Sequence, residues 1–338
     1  MVLRPPFAHR VCRQWFDEAF EGRVVPRLTE MGHLPAPYLQ FRQGASPTSG
    51  IDFGASTPRF STGYAPLQGR AALLVETHML KPYGSRVKAT YDILVAVLEE
   101  LRARPRALTQ AVAAAEAHAI ARANERDPDK RTLVLTTRTD TTKSVPFAYK
   151  GVVTRWEESE ITGNAVPRYS SAPWDTTIGL YRELLPALSV TLPAGYLIPQ
   201  EWSAAIAKLD VHGIEYRRLA KALRDTVEMV RIIEWSAGAE TFEGHRPVSV
   251  AKVRSERHLR SFRAGDVWVP LAQPYGNFAR EMLTTQRYPE VKLVAGKDIV
   301  RPYDVAAWSL PLMMGVTVEA AAHGDADERY LPVARGPA

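Results

Sequence analysis

The chain has 338 residues and a formal net charge of +6; 46% of its residues are hydrophobic and 24% are charged. This length accommodates about two domains, and the composition is typical of a globular protein rather than of a disordered chain. The single cysteine, Cys12, excludes an internal disulfide and a metal cluster built on cysteines. The densest basic run, residues 252–263, includes Glu256 and has no aromatic residues alternating with the basic ones, so we expect a solvated face and no nucleic-acid partner.

The chain begins with a helical pattern. Apolar residues recur at helical spacing over residues 8–31, although Gly22 and Pro26 interrupt them. A short strand is predicted at residues 38–41. Residues 43–58 are rich in Gly, Ser, Thr and Pro, which predicts a loop before the central part of the chain.

The central part of the chain is organised around residues 71–83. Five apolar residues run from Ala71 to Val75 and stop at Glu76, which predicts a strand buried on both faces and ending at that carboxylate. Sites in open α/β sheets are built at the carboxyl ends of strands, so Glu76 is a candidate general base. A buried ion pair, or a charge at the N-terminus of the next helix, is the structural alternative, and the pattern leaves both open.

Two more residues flank this predicted strand. Tyr64 precedes it and Lys81 follows it, so both could line a substrate pocket beside Glu76. The structural alternative is ordinary packing for Tyr64 and surface charge for Lys81.

The rest of the chain divides at a polar break. Helices are predicted from Ser85 and over residues 105–126, and the polar residues 127–131 are taken as a domain boundary. The second half has many short β-prone runs, which predict a β-rich, sandwich-like module and, with the helices, an α/β protein. These runs are residues 132–137, 148–156, 188–192, 229–235, 248–253 and 267–270. Helical pieces interrupt them after Trp202 and near residues 276–283.

Common catalytic motifs are absent from the sequence. It has no His-Glu-x-x-His helix, no Gly-x-Ser-x-Gly elbow, no phosphate-binding glycine loop and no dinucleotide fingerprint. One His-x-x-Glu pair, His212 and Glu215, has the spacing of a zinc pair, with His245 downstream as a possible third ligand. We favour a structural role instead, with His212 as a cation at the C-terminus of a helix, because Gly213 fits a helix cap.

Two groups of residues carry a resemblance to a known family. The first group lies around Glu76 and comprises residues 60–64, residues 73–83, Arg86 and Val87. The second comprises residues 196–202, 212–214 and 302–312, with Gly315 and Val316. With these residues the chain resembles the carboxypeptidase A-like zinc metallopeptidase family, and more narrowly a bacterial branch with a C-terminal accessory domain. The resemblance covers nearly the whole chain.

The resemblance implies a fold and a chemistry. Residues 1–127 would be the C-terminal portion of a catalytic domain with a mixed α/β sheet, and residues 131–338 the accessory domain. The family holds zinc with a His-x-x-Glu pair and a later His, and uses a glutamate on a late strand as general base, which Glu76 matches. Glu76 would take a proton from zinc-bound water, the hydroxide would attack a peptide carbonyl, and the proton would pass to the leaving amine.

The sequence departs from the family pattern at the metal ligands. Only 75 residues precede Glu76; they contain no His-x-x-Glu, and their only histidines are His9 and His33. We therefore expect this chain to be the C-terminal part of a longer protein, with its zinc ligands upstream, and to be inactive alone. We expect no membrane-spanning segment and no signal peptide in this chain, yet family relatives are often exported, so the compartment stays open.

Two other hypotheses remain. The chain could be a non-catalytic binding module whose β-rich half recognises a wall polymer or a protein. Alternatively, the parent hydrolase could remove acyl groups from small N-acyl amino acids, as related folds do. The peptidase hypothesis ranks first, because Glu76 combines the strand-end position with the motif match.

Overall fold

The computed structural model describes residues 10–54, 56, 60–237, 239, 248–283 and 330–335, and these form a mixed α/β structure, which confirms the predicted class at that level. The chain divides into two compact units. Unit 1 comprises Met1–Pro35, Ala55–Thr137 and Pro186–Ala338, and unit 2 comprises Ala36–Gly54 and Arg138–Leu185. Both units are therefore built from segments that are separated in sequence.

The first helical segment of unit 1 accommodates Gly22 and Pro26 by widening from an α-helix into a π-helix. It consists of α1 (Arg10–Phe16), a π-helical stretch (Asp17–Val24) and α2 (Val25–Glu30). Pro26 has no N–H to donate to the carbonyl of Gly22, and the wide π-helical turns lie directly before it. The helix predicted over residues 8–31 is thus confirmed from Arg10 onward.

The next three helices also belong to unit 1. They are α3 (Ser61–Leu67), α4 (Tyr83–Ala103) and α5 (Pro105–Ala123). Pro105 occupies the first position of α5, where its missing N–H has no helical partner to lose, and it separates α5 from α4 as predicted. Ile93 and Ala96 of α4 share an apolar cluster with Phe16 and Phe20. None of the helices in the described residues is long and apolar enough to cross a membrane.

The strand predicted at residues 71–75 is not formed. Residues 71–78 have no regular secondary structure, so the strand end that the sequence assigned to Glu76 is also absent from this segment. Ala71, Leu73 and Val75 still alternate onto the cluster around Phe20, as one face of an extended chain would. A strand is stabilised by hydrogen bonds to a neighbour, and none of the strands described here pairs with this segment. The apolar run is instead half-buried against helices.

The remaining elements are strands with two further helices. The strands are β1 (Ile51–Asp52), β2 (Thr132–Thr139), β3 (Val145–Glu158), β4 (Ala165–Tyr181), β5 (Leu184–Thr191), β6 (Gly195–Ile198), β7 (Arg217–Arg218), β8 (Leu223–Ala237), β9 (Val248–Phe262), β10 (Val267–Pro270) and β11 (Tyr330–Arg335). The helices are α6 (Ser203–Val211) and α7 (Gly276–Met282). Each β-prone run predicted in the second half overlaps one of these strands, and both helical pieces are confirmed. Strands β1, β4, β6 and β11 were not predicted.

Unit 1 contains a six-stranded sheet in the order β7-β10-β6-β11-β8-β9. Strand β6 lies between β10 and β11 and pairs antiparallel with both, and all four of its residues are buried. On one face, Tyr196 and Ile198 join the main apolar cluster with Phe278 of α7. On the other face, Leu197 packs with Val227 of β8. Strand β6 is thus buried on both faces and along both edges.

Unit 2 is built on a long hairpin. Strands β3 and β4 pair antiparallel, with Val145 opposite Leu180, and β1 adds to β4 in parallel. In place of the strand predicted at residues 38–41, the structure has an isolated β-bridge between Phe41 and Ile51. Strands β2 and β5 form a separate two-stranded sheet, and residues 132–137 and 186–191 of these strands belong to unit 1.

The compact units do not divide at the predicted boundary. Residues 127–131 lie within unit 1, in the connection between α5 and β2. The assignment of residues 1–127 to a catalytic domain and of residues 131–338 to a sandwich-like accessory domain stays a prediction.

The close approach of β10 makes Gly195 a sensitive position. A Cβ atom at residue 195 would lie 2.4 Å from the carbonyl oxygen of Val269 and 2.6 Å from the ring of Trp268. We expect Gly195→Ala to lower the free energy of unfolding by about 1–3 kcal/mol, because the carbonyl of a paired strand has little room to move. Equilibrium unfolding in urea measures the change.

Gly84→Ala is the matched control for this substitution. Gly84 lies in the first turn of α4, where an added Cβ would meet nothing within 4 Å. Alanine favours a helix more than glycine does, so this variant should be unchanged or up to about 1 kcal/mol more stable. Equal losses of stability in both variants would contradict the packing argument for β6.

Candidate functional site

Glu76 and Lys81 lie on the segment between α3 and α4, and both side chains are exposed. A tight turn at His78 shapes the backbone between them. The N–H of Lys81 donates to the His78 carbonyl at 3.0 Å, and the N–H of Leu80 donates to the His78 Nδ1 at 3.2 Å. The carboxylate of Glu76 is therefore accessible from solvent, beside a turn that is held by its own hydrogen bonds.

Tyr64 has a different environment, inside a cluster of rings. Helix α3 places it against His212, at the end of α6, and against Phe278 of α7, with ring centroids 5.6 Å and 4.9 Å away. Its hydroxyl oxygen lies 2.8 Å from the His212 Nδ1. One turn further along α3, the Nε2 amide of Gln68 donates to the same hydroxyl at 2.8 Å. These hydrogen bonds connect α3 to the end of α6.

The neutral ring of His212 has two tautomers, which differ in the direction of its hydrogen bond with Tyr64. With the proton on Nε2, the Tyr64 hydroxyl donates to Nδ1; with the proton on Nδ1, the ring donates to the Tyr64 oxygen, which also accepts from the Gln68 amide. In both tautomers Nδ1 is engaged with Tyr64, and the other ring nitrogen is Nε2. That nitrogen is buried, and the described residues offer it no hydrogen-bond partner.

Burial keeps His212 neutral. Desolvation, assisted by the nearby charge of Lys208, lowers the pKa of His212 from 6.5 to about 4. Burial also raises the pKa of Tyr64, against the opposing effect of the hydrogen bond from Gln68. His212 does occupy the C-terminal cap of α6, but the prediction that it is a cation there is wrong, because the desolvated ring does not hold a second proton at neutral pH.

The contacts of Tyr64 fit the packing alternative. The Nδ1 of His212 is hydrogen-bonded to the tyrosine hydroxyl, and that hydroxyl takes part in two hydrogen bonds. Neither the hydroxyl nor the Nδ1 can bind a substrate group without giving up one of these half-buried hydrogen bonds. A role for Tyr64 in substrate binding stays a prediction.

The two residues of the His-x-x-Glu pair have different environments. Glu215 is exposed and its backbone N–H donates to the Oε1 of Gln273 at 2.8 Å, whereas His212 uses Nδ1 for Tyr64. His245 lies outside the described residues. Among the residues that the structure does describe, there is no group of three or more His, Cys, Asp or Glu that could hold a metal ion. The described residues therefore do not fit the zinc ion that the resemblance implies.

The histidine upstream of Glu76 that the structure describes has a structural partner. Nε2 of His33 lies 2.6 Å from Oδ2 of Asp92 on α4, and Lys88 contacts the same carboxylate oxygen. These two partners hold the pKa of Asp92 below its ordinary value, with the Lys88 hydrogen bond the larger cause. His9 lies outside the described residues.

Sequence reasoning missed several polar residues around Tyr64. Arg70 donates to Glu116 of α5 at 2.7 Å and to the hydroxyl of Tyr275, next to α7, at 3.2 Å. These partners are 46 and 205 residues away in sequence, so no local pattern marks them. A signal did exist for Gln68, because it stands four residues after Tyr64 on a helix, where side chains meet.

The Tyr64 hydroxyl should contribute measurably to stability. Tyr64→Phe keeps the ring contacts but leaves the His212 Nδ1 and the Gln68 amide without their partner. We expect the free energy of unfolding to fall by about 1–3 kcal/mol, the usual cost of unsatisfied buried polar groups. Urea unfolding measures it, with Tyr169→Phe on the exposed part of β4 as the control that should change it by less than about 0.5 kcal/mol. A Tyr64→Phe protein as stable as this control would contradict the assignment.

The histidine should also make stability depend on pH. The folded-state pKa of His212, about 4, lies below its value of 6.5 in an unfolded chain, so the unfolded state binds more protons between these pH values. Its contribution to stability is therefore complete above pH 6.5 and is lost as the pH falls toward 4, by on the order of 2 kcal/mol after allowance for partial exposure.

Urea unfolding at several pH values measures this effect. His212→Gln should lose less stability than the wild type across that window, since its side chain does not titrate. His118→Gln is the matched control, because burial lowers the pKa of His118 as well but by less. A His212→Gln protein with the same pH dependence as the wild type would overturn the assignment of a buried neutral ring.

Comparisons with known proteins add no family assignment. No family model matches the sequence, and neither the curated proteins nor the solved structures include a match. The residues that carry the resemblance at 302–312, with Gly315 and Val316, lie outside the described part of the chain.

Proposed function

We propose that this chain takes part in zinc-dependent, carboxypeptidase-type hydrolysis of a peptide or peptide-like amide bond, with Glu76 as the general base. The observation that supports the proposal is the exposed carboxylate of Glu76, within the stretch at residues 73–83 that resembles the zinc metallopeptidase family. An exposed carboxylate can reach a ligand. The proposal includes the catalytic and accessory domain assignments given above.

The chain's own residues have limited roles in this proposal. Glu76 supplies a base, and the exposed ammonium of Lys81 would attract a substrate carboxylate at the same turn. Tyr64 contributes to the packing of α3, and in this proposal it would also line the substrate pocket. The metal would be held by residues outside those that the structure describes. Because a catalytic zinc site needs three protein ligands, we expect the chain alone to be inactive in this proposal.

Metal-dependent peptide hydrolysis tests this proposal. We expect the chain alone, loaded with zinc and dialysed, to retain almost no zinc and to release no C-terminal amino acids from peptides. Together with the polypeptide encoded directly upstream of Met1, it should show hydrolysis that a chelator abolishes. Glu76→Gln should then reduce the rate by about 10²–10⁴-fold, the usual effect of losing a general base, while the bound zinc remains.

The controls separate the parts of the proposal. Glu215→Gln, which also removes an exposed carboxylate, should leave the rate unchanged. Hydrolysis that survives Glu76→Gln would remove Glu76 from the mechanism. No hydrolysis in either preparation would contradict the hydrolase proposal, and chelator-sensitive hydrolysis by the chain alone would show that it needs no other polypeptide. N-acyl amino acids in the same assay test the deacylase alternative.

A non-catalytic binding module is the second candidate. The observation that favours it is a run of exposed apolar residues directly after Glu76, at Met79, Leu80 and Tyr83. Exposed apolar surface of this kind is typical of a site where another molecule binds. Binding of a ligand by the chain without bound metal, together with no hydrolysis in either preparation, is the result that would favour this candidate.

A further inference from the structure

Helix α4 is apolar on two opposite faces. Its inner face contributes Ile93 and Ala96 to the cluster with Phe16 and Phe20, and both of these α4 residues are buried. Its outer face carries Val87, Tyr91, Leu94 and Leu98, whose exposed fractions lie between 49% and 66%. We call these four residues the outer stripe.

The outer stripe has the spacing of a helix-packing seam. Its residues are separated by four, three and four positions, so at about 100° per residue they lie within roughly 60° of one another around the helix. Ala96 lies on the opposite side. A helix that is apolar on both faces is typical of one that is covered on both faces. The exposed Tyr83, at the start of the helix, lies one helical turn before Val87, the first residue of the stripe.

Charged residues flank the stripe unevenly. Lys88, Glu99 and Arg102 lie on one flank; Lys88 is near one end of the stripe, Glu99 and Arg102 are near the other, and all three side chains are substantially exposed. Arg86 lies on the other flank, near the same end as Lys88. Lys88 already contacts Asp92, and Glu99 contacts Arg27 through Oε2, which leaves the Oε1 of Glu99 able to accept another donor.

We propose that the outer stripe binds the outer stripe of a second copy of this chain, with the two α4 helices antiparallel. In the register that aligns the stripes, Val87 of each copy faces Leu98 of the other, and Tyr91 faces Leu94. The interface is self-complementary, as a two-fold dimer requires. The charges favour this occupant, since the antiparallel arrangement places Lys88 of each copy beside Glu99 of the other, with Arg102 about one turn further along, whereas parallel helices would place Lys88 beside Arg86.

Sedimentation velocity over a wide range of protein concentration tests this proposal. The contact is a single helix pair, smaller than a standard interface of about 800 Å² per partner, so we expect a reversible dimer with a dissociation constant on the order of micromolar. Leu94→Glu with Leu98→Glu should leave the protein monomeric throughout that range, because the dimer would bury four carboxylates. Both residues are exposed in the monomer, and circular dichroism should show unchanged folding.

Ile161→Glu is the matched control. Ile161 is a more exposed apolar residue, in the turn between β3 and β4, and its replacement should leave the dimer intact. A wild type that is monomeric at every concentration overturns the proposal and assigns the stripe to a different partner. A dimer that survives the double glutamate variant also overturns it.

A charge reversal tests the antiparallel register. Lys88→Glu and Glu99→Lys should each weaken the dimer by about two- to tenfold, the usual range for exposed ion pairs, and the double variant should restore it. A double variant that is weaker than both single variants would contradict the antiparallel arrangement. These experiments read association only, so their result is independent of the proposed hydrolysis.

Discussion

The enclosure of β6 is the constraint on which the rest of unit 1 depends. This four-residue strand has a neighbour on each edge and an apolar cluster on each face. Gly195 allows the carbonyl of Val269 to approach its Cα, which brings β10 into register. The clusters on the two faces then position α6, α7 and the start of β8. The contact between the Tyr64 and His212 rings depends on this packing, because Phe278 contacts both rings and also packs in the cluster with Tyr196 and Ile198.

Local sequence patterns predicted the elements whose structure depends on near neighbours. The division of α4 from α5 at Pro105 and the bounds of Val267–Pro270 are examples. The patterns failed for segments whose structure depends on a partner that is distant in sequence. Residues 71–75 have the composition of a buried strand, yet no described strand pairs with them. Strand β4 has no long apolar run, yet β3 pairs with most of its length. The same limit applied to His212, whose charge depends on burial by residues far away in sequence.

The surface around Glu76 differs in kind from the core around β6. From Glu76 to Leu98, the chain presents a solvent-accessible carboxylate, three exposed apolar residues and then the outer stripe. Exposed apolar area of this extent raises the free energy of the isolated chain, and covering it lowers that free energy by roughly 25 cal/mol for each Å² removed from water. Both the hydrolase proposal and the dimer proposal place another polypeptide near this part of the chain. In the hydrolase proposal that polypeptide supplies the zinc ligands, and in the dimer proposal it supplies a second outer stripe.

The strand order of the six-stranded sheet has a consequence for the order of events during synthesis. Strand β11 is the last of the described strands to leave the ribosome, yet it lies in the interior of the sheet, between β6 and β8. The hairpin of β8 and β9 can form early from adjacent segments, as can the pairing of β6 with β10 once residue 270 has emerged. These halves stay separate, each with an open edge, until residues 330–335 insert. A nascent chain therefore carries two strand edges competent for wrong pairing for the time needed to translate about 60 residues, roughly 3–12 s at typical rates.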